Sequence, residues 1–310
     1  MRRRTLVGTM AGLAVIGGLE AMARELSTTS RAGVGYSWTG AAALRGGKGY
    51  AECHLGQLHY RSMGRGGGVP FLLLHQTPFG LTEYVDIQPA LARAGRRSIA
   101  SDNPGYGLSD PPPESVTVMD LAQNLVGLLD HLGIEKAIVA GHHTGAAIAA
   151  AFAARHRDRT AGVLLHGCPL YTASERAERL ARSPVEVALK ADGSHFSDNF
   201  QRIYANAGPV PANLASATWA ILGLFMGGAH TPTYTAIFSN DMAPDLAAIR
   251  APTLVLSDTN DSLHDNDRKA ASLRPDFAFQ LFSNGRSFAL MQEPERWANT
   301  LVTFAKTHNL

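Results

Sequence analysis

The chain has 310 residues, of which 45% are apolar and only 17% charged, and its formal net charge is +2. That length and apolar content bury a substantial core and exclude global disorder. The 31 glycines and 16 prolines follow no period, which excludes a fibrous repeat, and no internal similarity at a solenoid or propeller period is visible.

The N-terminus, Met1-Arg2-Arg3-Arg4-Thr5-Leu6-Val7, leads into an apolar run to Ile16, and Ala21-Met22-Ala23 presents small residues where a signal peptidase inspects the chain. Residues 1–23 read as an export signal of the twin-arginine kind, with a periplasmic or secreted destination. Gly17, Gly18 and Glu20 break the apolar run, which is too short for stable membrane insertion. Cleavage after Ala23 removes three arginines and one glutamate and leaves a formally neutral chain, with no electrostatic case for nucleic acid or an anionic membrane as partner. Residues 24–49, rich in Ser, Thr, Gly and Ala, read as a flexible leader.

From about Tyr50 short apolar runs alternate with helical stretches, which predicts an α/β fold: a mostly parallel central sheet with helices on both faces. Strands are expected at Gln57 to Arg61, Pro70 to Leu74, Arg97 to Ser101, Ala137 to Ala140, Gly162 to Leu165, Thr253 to Leu256 and Phe277 to Phe282. Val118 to Leu132 carries apolar residues at helical spacing and stops at Gly133. Ala146 to Ala154 is alanine-rich enough to lie close against a sheet. Pro294 to Lys306 starts with proline in the first turn of an amphipathic helix. Residues 170–243 interrupt the alternation and are too long for a structureless loop, so they read as a helical cap inserted between the sixth and seventh strands, leaving 50–169 and 244–310 as the core.

Five segments carry a family resemblance: Leu72-Leu73-Leu74-His75-Gln76-Thr77-Pro78, Asp102-Asn103-Pro104-Gly105-Tyr106-Gly107-Leu108-Ser109, Gly141-His142-His143-Thr144-Gly145, Asn260-Asp261, and Phe288-Ala289-Leu290 before Glu293-Pro294. In order and spacing they resemble the landmarks of the α/β-hydrolase superfamily, in particular its cap-bearing esterases, epoxide hydrolases and dehalogenases. The resemblance implies a nucleophile elbow at Gly141-x-His143-x-Gly145, where glycines let a strand turn sharply into a helix beneath an exposed side chain. It also implies a catalytic histidine in the late loop, a position filled here by Ser287, and an acid at Asp261. The family's nucleophile is thus replaced by histidine, and its histidine by serine.

Three readings of this exchange are open. In the first, His143 activates Ser287, a dyad with its members traded, in a hydrolase acting on a small, largely apolar ester or lactone. Asp261 supplies charge support but needs a water to reach His143, and Thr77 and Thr144 supply the oxyanion contacts. In the second, His143 moves a proton in a cofactor-independent lyase or isomerase reaction. In the third, the machinery is lost and the pocket only binds a ligand. Around these residues, His75 shapes the oxyanion loop, Gln76 stands where the resemblance expects glycine, and His142 packs under the turn or adds to the pocket.

Cys53 and Cys168 read as packed thiols, with a single bridge between them left open, and Asp192-Gly193-Ser194-His195 as a turn or as a contribution of His195 to the pocket. No metal site is expected, because the 12 histidines show no ligand spacing. No nucleotide cofactor is expected either, since no phosphate-cradling glycine loop follows the first strand. The expected partner is a small-molecule substrate, and the oligomeric state is left open.

Overall fold

The computed structural model describes residues 47–182, 187–208, 213–228, 232–282 and 286–310. The expected signal and most of the leader lie outside the described residues. So does Gly285, two positions before Ser287.

Eight strands form one sheet: β1 (Gly47–Cys53), β2 (Gly56–Met63), β3 (Phe71–Leu74), β4 (Ser98–Ser101), β5 (Ala137–His142), β6 (Thr160–His166), β7 (Thr253–Asp258) and β8 (Ala278–Phe282). Their order across the sheet is β1-β2-β4-β3-β5-β6-β7-β8. The β1–β2 and β2–β4 pairs are antiparallel and the others parallel. All seven expected strands are present. The addition is β1, which extends the sheet to Gly47, inside the stretch read as leader. Only Ala51 of β1 is buried, so this edge strand carries no apolar run and is defined by pairing with β2.

Among the described residues the helices are α1 (Ile87–Arg93), α2 (Val118–His131), α3 (Thr144–Arg155), α4 (Ala173–Ala181), α5 (Ser194–Ala207), α6 (Asn213–Gly223), α7 (Pro232–Ser239), α8 (Met242–Ala248), α9 (His264–Leu273), α10 (Ala289–Gln292) and α11 (Pro294–Thr307). Helices cover both faces. Leu72 and Leu74 of β3 join a cluster with Leu121, Leu125 and Leu128 of α2 and the alanines of α3. Phe71 and Leu73 point the other way, to Leu91 of α1 and to Trp297 and Leu301 of α11. Burial on both faces is why the central strands read as continuous apolar runs.

Helix α3 is buried from Thr144 to Ala154 because small side chains let it lie directly on the sheet. Gly145 marks the closest approach: a Cβ there would fall 1.9 Å from the Leu74 carbonyl oxygen. Between β6 and β7 the described residues are helical, α4 to α8, and no strand interrupts them. Both cysteines are free thiols, Cys168 fully buried. No helix of the described residues is long and apolar enough to cross a membrane.

Candidate active site

The turn from β5 into α3 pivots on His143, whose φ of 45° and ψ of −107° place it in a region that side-chain-bearing residues rarely adopt. Only His143 and Asn309 among the described non-glycine residues have positive φ. The strained turn is held by hydrogen bonds from the His143 N–H to the His166 carbonyl (2.8 Å) and from the Ala146 N–H to the His143 carbonyl (2.8 Å). Its imidazole lies over Gly167, at the end of β6. A Cβ on Gly167 would come within 2.0 Å of His143 Cδ2, so that glycine is what makes room for the ring.

From there the ring reaches Asp261, in the turn after β7. His143 Nε2 is 3.0 Å from both Asp261 carboxylate oxygens. The contact is direct, which corrects the expectation of an intervening water. The Leu263 N–H donates to Asp261 Oδ1 at 2.7 Å and fixes the carboxylate. Burial opposes charge on both partners, but their mutual attraction and hydrogen bonding outweigh it. Asp261 is held below the usual carboxylate range and His143 above the usual imidazole range, the latter also favoured by Asp267 and Glu83. Nδ1 of His143 has no partner among the described residues, and the side chain keeps 16% exposure.

Ser287 does not join this pair. Its hydroxyl has no hydrogen-bond partner among the described residues, and its backbone carbonyl accepts from Gln76 Nε2 at 2.8 Å. The traded dyad is therefore not made as a hydrogen bond. Ser287 instead lines a cavity of about 240 Å³ with Thr77, Pro78, Ile203, Leu224, Tyr234 and Phe288, contributed by the core and by the helical insertion. Neither His143 nor Asp261 lines that cavity. The connection runs through Thr77, whose Oγ1 is 2.9 Å from Thr144 Oγ1 and 2.6 Å from the Tyr106 hydroxyl. The N–H of Thr144 opens α3, where no intrahelical acceptor exists. No protein acceptor takes it or the Thr77 N–H among the described residues.

His142, fully buried, is paired by Nδ1 with Glu83 Oε1 at 2.8 Å. Nothing in the composition of Gly80 to Tyr84 announces Glu83, which belongs to no motif of the sequence. Both its oxygens accept from Gln76, at 3.0 Å from the backbone N–H and 2.8 Å from Nε2. Gln76 thus braces the loop after β3 to Glu83 on one side and to the Ser287 carbonyl on the other, which explains a long side chain where the family resemblance expected glycine. Burial pushes the Glu83 carboxyl up to about 7 despite those bonds. Burial, with His143 and His166 nearby, holds His142 far below the usual imidazole range, so it is neutral. His75 is also buried, and its roles are fixed: Nδ1 donates to the Gln76 carbonyl (2.9 Å) and Nε2 accepts the Asn103 N–H (2.8 Å).

His195 accepts from the Lys190 N–H and packs against Phe196 and Phe225, away from the cavity wall. Cys168 donates its N–H to Asp267. For a metal, one group among the described residues has suitable donors: single ligand atoms of His142, His143 and Asp261 lie within 4.8 Å of one another. Sequence spacing misses it because Asp261 arrives from a different strand.

The family model described as the alpha/beta hydrolase fold matches residues 69–294. Epoxide hydrolase B of Mycobacterium tuberculosis is 41% identical over 95 residues, 30% of this chain and 27% of that protein. Epoxide hydrolase A of the same species is 30% identical over 185 residues, 58% of this chain and 54% of that protein. The matched stretches thus span between about a quarter and about a half of these relatives. The enol-lactonase of Burkholderia xenovorans superposes with a TM-score of 0.68 and 22% identity, over 83% of this chain and all of that one. With the family model matching residues 69–294, most of its length, the chain belongs to the α/β-hydrolase fold family.

Proposed function

We propose that the protein is a hydrolase of small, largely apolar ester- or lactone-like substrates, with His143 and Asp261 serving as a general-base pair that acts on water. The observation that carries this reading is the placement of His143 Nε2 against both oxygens of Asp261. It puts the proton of the neutral ring on Nε2 and leaves the Nδ1 lone pair free. A histidine at the elbow forms no lasting acyl ester, so the covalent step of the family is replaced by direct attack.

In the proposed reaction Nδ1 takes a proton from water as its oxygen bonds to the substrate carbonyl carbon. The N–H groups of Thr77 and Thr144 receive the developing oxyanion. Collapse breaks the bond to the leaving alkoxide, which takes the proton back from Nδ1. Asp261 holds the imidazolium through the cycle, and the Ser287 hydroxyl on the cavity wall orients water or substrate. The names of the relatives, epoxide hydrolase and enol-lactonase, agree with addition of water to a small molecule. Export of the chain by way of residues 1–23 is part of the same proposal, and the N-terminus of the mature protein tests it.

The decisive experiment is turnover of an ester and lactone panel in ¹⁸O-water. Incorporation of one label into the acid product, lost in His143→Ala, supports the reading. Turnover without label assigns the same base to a lyase or isomerase, and saturable binding without turnover makes the protein a receptor; either outcome overturns it.

A further inference from the structure

We propose that His142, His143 and Asp261 form a binding site for a divalent transition metal ion of the zinc type. The donor set is two imidazoles and one carboxylate, with single ligand atoms within 4.8 Å of one another. Three such ligands and one open position are the arrangement of a zinc centre that keeps a water.

The independent observation is at His142. Its Nε2 is buried and has no hydrogen-bond partner among the described residues, in a side chain with no exposure. A buried polar nitrogen left alone costs about 1–3 kcal/mol, so a sealed, unpaired imidazole nitrogen calls for an occupant. Its chemistry is settled by the other side of the ring. Nδ1 stands 2.8 Å from Glu83 Oε1, and the ionised Glu83 accepts the Nδ1 proton of the neutral ring. Nε2 therefore carries a lone pair. A carboxylate fixing one ring nitrogen so that the other can ligate is the support that metal-bound histidines usually have.

The second and third ligands fit the same ion. Metal–nitrogen and metal–oxygen bonds of about 2.0–2.2 Å put neighbouring ligand atoms about 3–3.5 Å apart, and His143 Nε2 already stands 3.0 Å from the Asp261 oxygens. The Asp261 carboxylate, held against His143 Nε2, supplies the negative ligand of the site. The exposed edge of the His143 ring gives the ion its way in. Binding exchanges the Nε2 proton of His143 for the metal. The ion-free protein then keeps the imidazole base, and in the loaded protein that role passes to ion-bound water.

The test reads binding, so it is separate from the hydrolase reading. Tag-free, chelator-stripped protein is titrated with Zn²⁺ by calorimetry and with Co²⁺ by visible absorption. Expected are one ion per chain, a cobalt spectrum of low coordination number, and a zinc-dependent rise in melting temperature. Asp261→Asn and His142→Gln should each weaken binding by ~100-fold or more, and Glu83→Gln, which loosens only the support of His142, by ~10–100-fold. Circular dichroism shows which variants fold; Asp261→Asn keeps the shape of the site if His142→Gln does not. The proposal is overturned if wild type takes up no stoichiometric ion, or if folded Asp261→Asn binds as tightly as wild type. Turnover in the stripped protein without any zinc binding would sink this inference and leave the hydrolase reading standing.

Discussion

His143 and Asp261 lie 118 positions apart in the chain, yet the imidazole Nε2 of one sits 3.0 Å from both carboxylate oxygens of the other. The elbow histidine has turned over Gly167 toward the acid, the partner the family resemblance gives to a late-loop histidine. One residue thereby fills the elbow and meets the acid at once.

The pair sets the pH dependence of turnover. General-base action needs neutral His143, and its proton is held above the ordinary imidazole value, so rate should rise with pH through that elevated value. Asp261→Asn removes the attraction, and the rising limb should move to lower pH while the plateau falls. His143→Ala should lose roughly 10²–10⁴-fold. A limb that stays in place in Asp261→Asn assigns the titration to another group.

The contribution of Glu83 to stability should fall as pH rises from about 5 to 7, opposed by the buried His75 and His142, whose lowered values favour the fold as pH rises toward the ordinary imidazole value. Glu83, with an ordinary value of 4.5, is pushed up to about 7 in the fold, and His143 is also raised. Between the unfolded and folded values the native state holds more protons than the unfolded chain, so each contribution is full below the unfolded value and lost as pH climbs through the folded one. For Glu83 the shift corresponds to about 3 kcal/mol at most, taking 1.36 kcal/mol per unit. Asp261 works oppositely and only at the acid end, its contribution vanishing as pH drops below about 4. The difference in melting temperature, wild type minus Glu83→Gln, should fall as pH rises across this range. An equal slope in both proteins would remove Glu83 from the account.

Gly167→Ala tests the seat of the ring. The position has φ of +69°, and the new Cβ would meet His143 Cδ2 at 2.0 Å. Gly133 has a similar φ of +62° but nothing within 4 Å of a Cβ, so Gly133→Ala carries the backbone strain alone. Strain of this kind costs about 1–3 kcal/mol, and Gly167→Ala should cost more and abolish turnover. Equal melting temperatures and intact turnover in the two variants would show that the ring has another place to go.

Reactivity toward fluorophosphonate separates water attack from a serine nucleophile. Among the described residues no base is bonded to the Ser287 hydroxyl, so wild type should remain unlabelled there. The double change His143→Ser with Ser287→His restores the family's residue types at both positions, and labelling at position 143 is expected, absent in His143→Ser alone. Labelling of wild-type Ser287, mapped by mass spectrometry, would reinstate the traded dyad.

Much of the fold is legible in the residues themselves. Central strands such as Phe71–Leu74 are buried on both faces and therefore uniformly apolar, and the alanines of α3 announce a helix lying tight on a sheet. The glycines at 141 and 145 mark the elbow because no side chain fits there. The edge strand β1 escaped notice since, with one residue buried, backbone pairing alone defines it.

What sequence by itself determined is the list of unusual residues, a histidine at the elbow and a serine in the late loop, because those follow from short local patterns. Tertiary structure decided which of them meet. It turned His143 toward Asp261 instead of Ser287, set Glu83 behind His142, and put Ser287 on a cavity wall, its hydroxyl without a partner among the described residues. Those outcomes depend on side-chain direction at the ends of separate parallel strands, where distance along the chain carries no information about distance in space.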